Sequence, residues 1–374
     1  VRLVSWIVLI AWISTFLRTL LNLRLIPRLA ADAPDEGPRV SVIIPARNEE
    51  RRVEQTVRAL LAQTYRNFEI VVVNDRSTDR TGEILAAIDD PRLRVISGRE
   101  PPAGWLGKPA ALHLGSLHAT GELLLFIDAD IIYAPKGISA AVAAYRQSGV
   151  SMIALLPHIE MAGFWENVAM PMLATTVFSF LPLWLSNRTR FALLGIGGGT
   201  GNLIARADYD AVGGHDTLKD AVIDDVALAR LVRRRGRRTI AYRADDFVAV
   251  RMYHGGREIV NGFTKNMFVV LDRSYLLTAG FAVLGVVFHV LPYLLAPLGD
   301  RAAVATVLTI TATRLILFHR LGYPLLYAVF AHPLMVLFWS WISVRSAWVT
   351  GVRRQLHWRG RSYDAREARF GADR

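Results

Sequence analysis

The run Leu123-Leu124-Leu125-Phe126-Ile127-Asp128-Ala129-Asp130 constrains this chain more than any other stretch. An apolar run ends abruptly in two carboxylates. A run this short, with Gly121-Glu122 before it and Pro135 after, predicts a buried strand of a parallel sheet. Ligands of open α/β sheets sit beyond the carboxyl ends of the strands, where Asp128 and Asp130 fall. Residues i and i+2 of a strand project to the same side, so the two carboxylates are expected to converge. Two hard oxygen donors there suit Mg2+ or Mn2+ holding a diphosphate. A plain polar turn would use the same residues, so the neighbouring segments must decide.

Those segments alternate. After a Pro/Gly/acid linker over 31–39, Val40 to Ile44 reads as a strand ended by Pro45. Asn48 is placed to cap a helix running to about Ala62. Phe68 onward is a second strand ending at Asn74-Asp75, and Thr78 or Asp79 caps the next helix, near 80–88. Leu93 to Ile96 is a third strand. This alternation predicts a parallel, doubly wound sheet with right-handed crossovers. Arg47, Asp75 and Asp128 then share one sheet edge. Before the central strand lies Gly104-Trp105-Leu106-Gly107-Lys108-Pro109. Its glycines permit close backbone approach, and Lys108 offers a cation to phosphate. The Walker A spacing is absent. Only four of the 44 Lys and Arg residues are lysines, Lys108, Lys136, Lys219 and Lys265, so each carries more weight.

A second part runs from about 137 to 250. Residues 164–186 are rich in Phe, Trp, Leu and Met but are interrupted by Pro171 and Pro182. They read as interfacial or re-entrant helices, with a buried helix pair as the alternative. A glycine-rich loop over 194–202 precedes a strand from Leu203 to Arg206, a short helix from Ala207 to Val212, and the turn Gly213-Gly214-His215. Asp224 and Asp225 then open a helix that closes on Arg233 to Arg235, placements that suit the helix dipole. The acids are either a cap or a general base held near a reacting hydroxyl. Strands at Thr239–Arg243 and Phe247–Arg251 lead to a basic and aromatic stretch, Met252 to Asn266.

Hydrophobicity gathers at the two ends. Residues 3–17 are apolar and uncharged, and Arg18, Arg24 and Arg28 follow. With no small-residue cleavage site and two Trp suited to an interface, residues 1–28 are expected to form an anchor with its arginines cytoplasmic, a signal sequence being the alternative. Tyr275–Leu298 is long enough to span. Ala302–Phe318 is marginal and contains Arg314. Tyr323–Val349 contains Pro324 and Pro333. A cytoplasmic basic tail over 351–374, with Arg353, Arg354, Arg359 and Arg361, requires an even number of C-terminal crossings, so one segment is re-entrant or breaks near Pro333. The net charge of +12 suits anionic lipid better than nucleic acid, given these ends. With no cysteine, disulfides and thiolate chemistry are excluded.

Several motifs coincide in order: Ile43-Ile-Pro-Ala-Arg-Asn-Glu-Glu50, Val73-Asn-Asp-Arg-Ser-Thr-Asp-Arg-Thr81, Gly104-Trp-Leu-Gly-Lys108, Asp128-Ala-Asp130, Gly213-Gly-His215 and Ile223-Asp-Asp225. Over residues 40–270 the chain resembles the family 2 glycosyltransferases of GT-A fold. Its membrane-flanked layout is similar to the carotenoid members of the diaponeurosporenoate and hydroxychlorobactene type, and more distantly to ceramide and hopanoid glucosyltransferases. Arg251-Met-Tyr253 and Gly262-Phe-Thr-Lys265 carry the carotenoid-type likeness.

The resemblance implies an α/β, Rossmann-like nucleotide-sugar domain over 38–270, between an N-terminal anchor and C-terminal transmembrane helices over 275–350. It implies Pro45, Arg47 and Glu49 lining the nucleotide, Asp75 on uridine, Lys108 near nucleotide or sugar, and Asp128 on the donor. Asp130, with Asp128, would hold Mg2+ or Mn2+. Asp225 matches the family's base, and Asp224 stands where Glu is usual. The Gln-x-x-Arg-Trp motif of processive synthases is reduced to His254-Gly-Gly-Arg-Glu258, which leaves Arg257 as a diphosphate contact and argues against polymer synthesis. The expected partners are a UDP-sugar, a lipid acceptor and the cell membrane, with the catalytic domain cytoplasmic. A polysaccharide synthase and a non-catalytic sugar-nucleotide binder are the rival readings.

Overall fold

The computed structural model describes residues 2–352 and the backbone of 355–358 and 361–364. The expected basic tail lies largely outside these described residues. The chain divides into two units, an α/β unit of 26–160 and 185–252 and a helical unit of 1–25, 161–184 and 253–366. The stretch 253–270, read from sequence with the catalytic domain, groups with the helices.

In the α/β unit the apolar runs become strands: β1 (Val40–Ala46), β2 (Phe68–Asn74), β3 (Leu93–Ser97), β4 (Leu123–Phe126), β5 (Ile131–Tyr133), β6 (Met152–Leu156), β7 (His158–Ile159), β8 (Asn202–Ala205), β9 (Thr239–Arg243) and β10 (Val248–Val250). Seven form one sheet in the order β3-β2-β1-β4-β8-β6-β9, and β5-β10-β7 form a second. Every residue of β4 is buried, as a central strand covered on both faces requires. The helix Val53–Leu61 lays Val53, Val57 and Leu60 inward at helical spacing, with Glu54 and Arg58 paired outside. The core joins Ile43, Val71, Leu124, Phe126 and Ile204 of the sheet to Leu228 and Val232 of the helix Asp224–Arg234.

Three expectations change. The sheet is mixed, because β8 runs antiparallel to both β4 and β6. Pro45 lies inside β1 rather than ending it. Asn48 does not cap a helix. It takes a left-handed conformation, φ 53°, accepts the Thr78 N–H at 2.8 Å, and the helix starts only at Val53. Asp79 does meet the next helix: its carboxylate accepts from the Thr81 N–H at 3.0 Å and hydroxyl at 2.6 Å.

In the helical unit, Arg2–Leu25, Tyr275–Leu298 and Arg301–Leu321 are long and apolar enough to cross a membrane, by length and composition. The last contains Arg314, whose presence made it look marginal. The following segment breaks, with helices Leu325–Phe330 and His332–Ser346 meeting at Ala331 just before Pro333. Residues 164–186 are likewise short pieces. Asn22 donates to the Phe178 and Leu181 carbonyls, both at 2.8 Å, and accepts the Trp184 N–H at 3.1 Å, so the chain around Pro182 keeps its backbone groups paired.

Candidate active site

β4 ends at Phe126, so Ile127 to Asp130 leave the sheet as a turn at its carboxyl edge. β1 and β2 end at the same edge and release Arg47 and Asp75. Arg47 donates to the Asp75 carbonyl at 2.8 Å and lies 3.6 Å from its carboxylate. The antiparallel direction of β8 then matters. Asn202 sits opposite Phe126, so the glycine-rich run before β8 enters where β4 leaves. Asn202 also donates to the Asp225 carbonyl at 3.1 Å, which ties in the start of the helix Asp224–Arg234. The approach demands glycine at Gly197, where a Cβ would run into the Asp225 backbone, and favours it at Gly199. The Asp128 N–H donates to the Gly199 carbonyl at 2.6 Å, and a Cβ on Gly199 would collide with the Asp128 carboxylate.

Lys108, Asp128, Gly199, His215, Asp224 and Asp225 line one pocket here. The Lys108 ammonium lies 2.7 Å from Asp128 and 3.1 Å from Asp224. Its loop is pinned by the Leu106 N–H, which donates to the Lys219 carbonyl at 2.7 Å. Asp225 accepts from the Val226 N–H at 2.6 Å. Burial disfavours the ammonium, yet Asp128, Asp224 and Asp225 outweigh it and hold Lys108 well above the ordinary lysine range. Burial pushes Asp224 up to about 7; Lys108 opposes this and loses, while Asp225 and Asp128 add to it. Burial also raises Asp225 against the pull of Lys108. Burial, reinforced by Lys108 and His113, drives His215 down to about 3, so its imidazole is neutral. Acids raised toward neutrality beside a fixed cation can take up a proton near a bound anion.

Residues 41–210 match the Glycosyl transferase family 2 model. The chain carries a family 2 glycosyltransferase domain. Over 339 residues it is 26% identical to the 4,4'-diaponeurosporenoate glycosyltransferases of Staphylococcus aureus strains USA300 and MRSA252, covering 87% of this chain and 88% of theirs. Its fold is like that of a mannosyltransferase from Pyrobaculum calidifontis in complex with GDP-Man and Mn2+, with a TM-score of 0.57 at 18% identity over 94% of this chain and 98% of that one. The resemblance read from the motifs holds: the protein is a glycosyltransferase of GT-A fold.

The remaining residues of this glycosyltransferase are spread more widely than the sequence suggested. Asp130 is engaged by Arg52, whose Nη1 stands 2.9 Å from the carboxylate and 3.2 Å from the Met252 carbonyl. Convergence of Asp128 and Asp130 was expected from strand alternation, but both lie past the end of β4, where alternation no longer applies. The Glu49 N–H donates to Thr81 Oγ1 at 2.8 Å. Arg257 lies on the helix Gly255–Thr264 of the helical unit. Sequence reading passed over Arg52 and Gly199 as site neighbours, and it counted His215 within a family motif but gave it no role. For His215 a signal existed, a lone histidine directly after two glycines and shortly before the paired acids.

Proposed function

We propose that this enzyme transfers glucose from UDP-glucose, with inversion, to a hydroxyl or carboxyl group of an apolar membrane acceptor of the carotenoid or glycolipid type, using a divalent metal. The observation that carries this reading is Lys108 standing between Asp128 and Asp224, with Asp225 in the same pocket. A cation for the diphosphate and a carboxylate for the acceptor meet there.

In this reading the acceptor oxygen attacks the anomeric carbon as the bond to the diphosphate oxygen breaks. Asp225 accepts the hydroxyl proton, and the diphosphate leaves with the bonding pair. A single displacement turns an α-linked donor into a β-glycoside. Pro45, Arg47, Glu49 and Asp75 hold the nucleotide, Lys108 the diphosphate, and Asp128 the donor. A carboxylate acceptor, as the name of the Staphylococcus relatives suggests, needs no proton removed.

The donor set suits Mg2+ or Mn2+. Among the described residues no three or more His, Cys, Asp or Glu side chains gather as a ready-made metal cage. Mg2+-type sites commonly use one or two carboxylates together with substrate phosphates. Asp130 and Asp128 would hold the ion, which would neutralise charge on the departing diphosphate. The enzyme of like fold from Pyrobaculum is described with GDP-Man and Mn2+. The three long apolar helices and Arg18, Arg24 and Arg28 support a multi-pass protein of the cell membrane with its catalytic unit in the cytoplasm.

The test is transfer by the full chain in vesicles that contain either 4,4'-diaponeurosporenoate or native lipid extract. The donors are UDP-glucose, UDP-galactose, UDP-N-acetylglucosamine and GDP-mannose, and the lipids are read by mass spectrometry. One added hexose from UDP-glucose, β-linked, is expected. A ladder of sugars would mean processive synthesis, and no product from any donor would leave a sugar-nucleotide binder.

A further inference from the structure

Directly behind the acids lies a buried polar chain that the reaction above does not use. Gly213 and Gly214 take φ of 89° and 47°, a left-handed turn that brings His215 back under Tyr209 of the helix Arg206–Val212. A Cβ on Gly214 would collide with the Tyr209 ring. His215 is 1% exposed and Tyr209 is 4% exposed. The His215 backbone N–H donates to the Tyr209 hydroxyl at 3.0 Å, and that hydroxyl lies 2.9 Å from His215 Nδ1. Phe126 meets the imidazole edge-on at 4.9 Å between ring centres. Nε2 faces Asp224 Oδ2 at 4.0 Å.

The tautomer protonated on Nε2 fits these contacts. With the proton on Nε2, an N–H is turned toward the Asp224 carboxyl and favours its ionised form. Nδ1 is then an acceptor, and the Tyr209 hydroxyl donates to it. The other partner of that hydroxyl, Ser116 Oγ, lies farther off at 3.3 Å and spends its own proton on the His113 carbonyl.

We infer that Tyr209 and His215 are a positioning pair for the transfer reaction: Tyr209 orients His215 so that Nε2–H faces Asp224, which keeps Asp224 on Lys108 and leaves Asp225 to the acceptor. This rests on the reading of the pocket given above. It accounts for two neighbouring acids taking different parts. Asp224 is bound by Lys108 at 3.1 Å, with the imidazole facing its other oxygen at 4.0 Å, and works as scaffold.

The experiment compares His215→Gln, His215→Asn, His215→Leu and Tyr209→Phe in the full chain, with UDP-glucose as donor and vesicles containing a hydroxy-carotenoid as acceptor, where a proton has to be removed. Gln reaches an N–H to the Nε2 position, Asn does not, and Leu has no polar atom. Groups that orient a working residue typically matter by about 10- to 100-fold in activity. The Leu, Asn and Phe variants should lose kcat on that scale while Gln recovers most of it. Donor KM should move little, because Asp128 still holds Lys108. A purely structural role would instead make Gln and Asn alike or let Leu match the wild type, and either result overturns the pair. If Leu fails to fold, as a melting curve would show, the Gln and Asn comparison and Tyr209→Phe decide. A wild-type chain that transfers no sugar would instead sink the parent reading, and this one with it.

Discussion

The Lys108 ammonium stands 2.7 Å from a carboxylate oxygen of Asp128. The same nitrogen is 3.1 Å from Asp224, so one cation joins the turn after β4 to the start of the helix Asp224–Arg234. Removing it would leave three acids, Asp128, Asp224 and Asp225, around an uncompensated pocket. Lys108→Met should therefore weaken donor binding and slow transfer, with kcat/KM down by about 10² to 10³, the scale of losing one fixed charge-stabilising donor. Lys108→Arg should not restore it, since a planar guanidinium cannot serve two carboxylates as a compact point charge. Donor titration and steady-state rates check both; wild-type kinetics in the Met variant would remove Lys108 from the site.

The two acids at the helix start should part company on mutation. Asp225→Asn should cost about 10² to 10⁴ in transfer to a hydroxyl acceptor and leave donor affinity intact, as expected for loss of a base. With a carboxylate acceptor the same change should cost far less, because no proton has to move. Asp224→Asn should be milder and similar for both acceptors. The comparison needs one hydroxy-carotenoid and one carotenoid acid, assayed side by side. A dead Asp224→Asn beside an active Asp225→Asn would exchange the roles.

Metal removal is the third test. EDTA should abolish transfer, and Mn2+ or Mg2+ should restore it. Asp130→Asn should raise the concentration of metal needed, since fewer hard oxygen ligands remain. Arg52 stands 2.9 Å from that carboxylate and competes for it, so Arg52→Ala should lower the requirement unless it damages the unit. Full activity in chelator would refute the metal reading outright.

What the sequence disclosed and what it withheld divide along physical lines. β1, β2 and β4 were legible because short, mostly apolar runs between turn residues have few other uses, and the acids at their ends came with them. The direction of β8 was not legible, since apolar patterning carries no polarity. That direction is what delivers Gly199 to Asp128. Asn48 carried a plausible capping signal but lost to its long-range bond with Thr78. Arg52 escaped notice and His215 was left without a role because their partners, Asp130 and Tyr209, are assigned by tertiary packing.

Arg314 shows the same limit in the helical unit. Composition made its segment look like a poor span. The side chain is 1% exposed, and its guanidinium donates to the Ala328 and Tyr327 carbonyls, both at 3.1 Å. Those carbonyls lie just before the break at Ala331, between the helices Leu325–Phe330 and His332–Ser346. The Tyr327 carbonyl keeps the Ala331 N–H at 3.2 Å, so Arg314→Leu should orphan the Ala328 carbonyl, at about 1 to 3 kcal/mol for a buried acceptor. Arg314→Lys should recover only part, lacking the fork that reaches two carbonyls at once. Thermal melts of the full chain in one detergent should rank wild type above Lys and Lys above Leu; equal stabilities would mean that water takes over the carbonyls.

Glu69 offers a prediction in which pH does the work. It sits on β2 opposite Ser41 of β1, at the end of the sheet remote from the pocket. Its carboxylate accepts from Ser41 Oγ at 2.5 Å, the Thr120 N–H at 2.6 Å and the Thr120 hydroxyl at 2.8 Å. Burial works against the ionised form, but the hydrogen bonds from Ser41 and Thr120, with Arg39 helping, prevail and hold Glu69 below its ordinary value of 4.5. A carboxyl depressed on folding adds stability above its unfolded pKa and loses it as pH falls through the folded value. Glu69→Gln keeps the shape and removes the charge. It should therefore cost about 1.5 to 3 kcal/mol at neutral pH, the range for hydrogen bonds to a charged group. The gap between wild type and variant should begin to close below pH 4.5 and narrow further as the carboxyl protonates. Unfolding midpoints measured in one detergent across that acid range check it. A gap that stays constant from neutral to acid pH would show that the ionised carboxylate is not what joins Ser41 to Thr120.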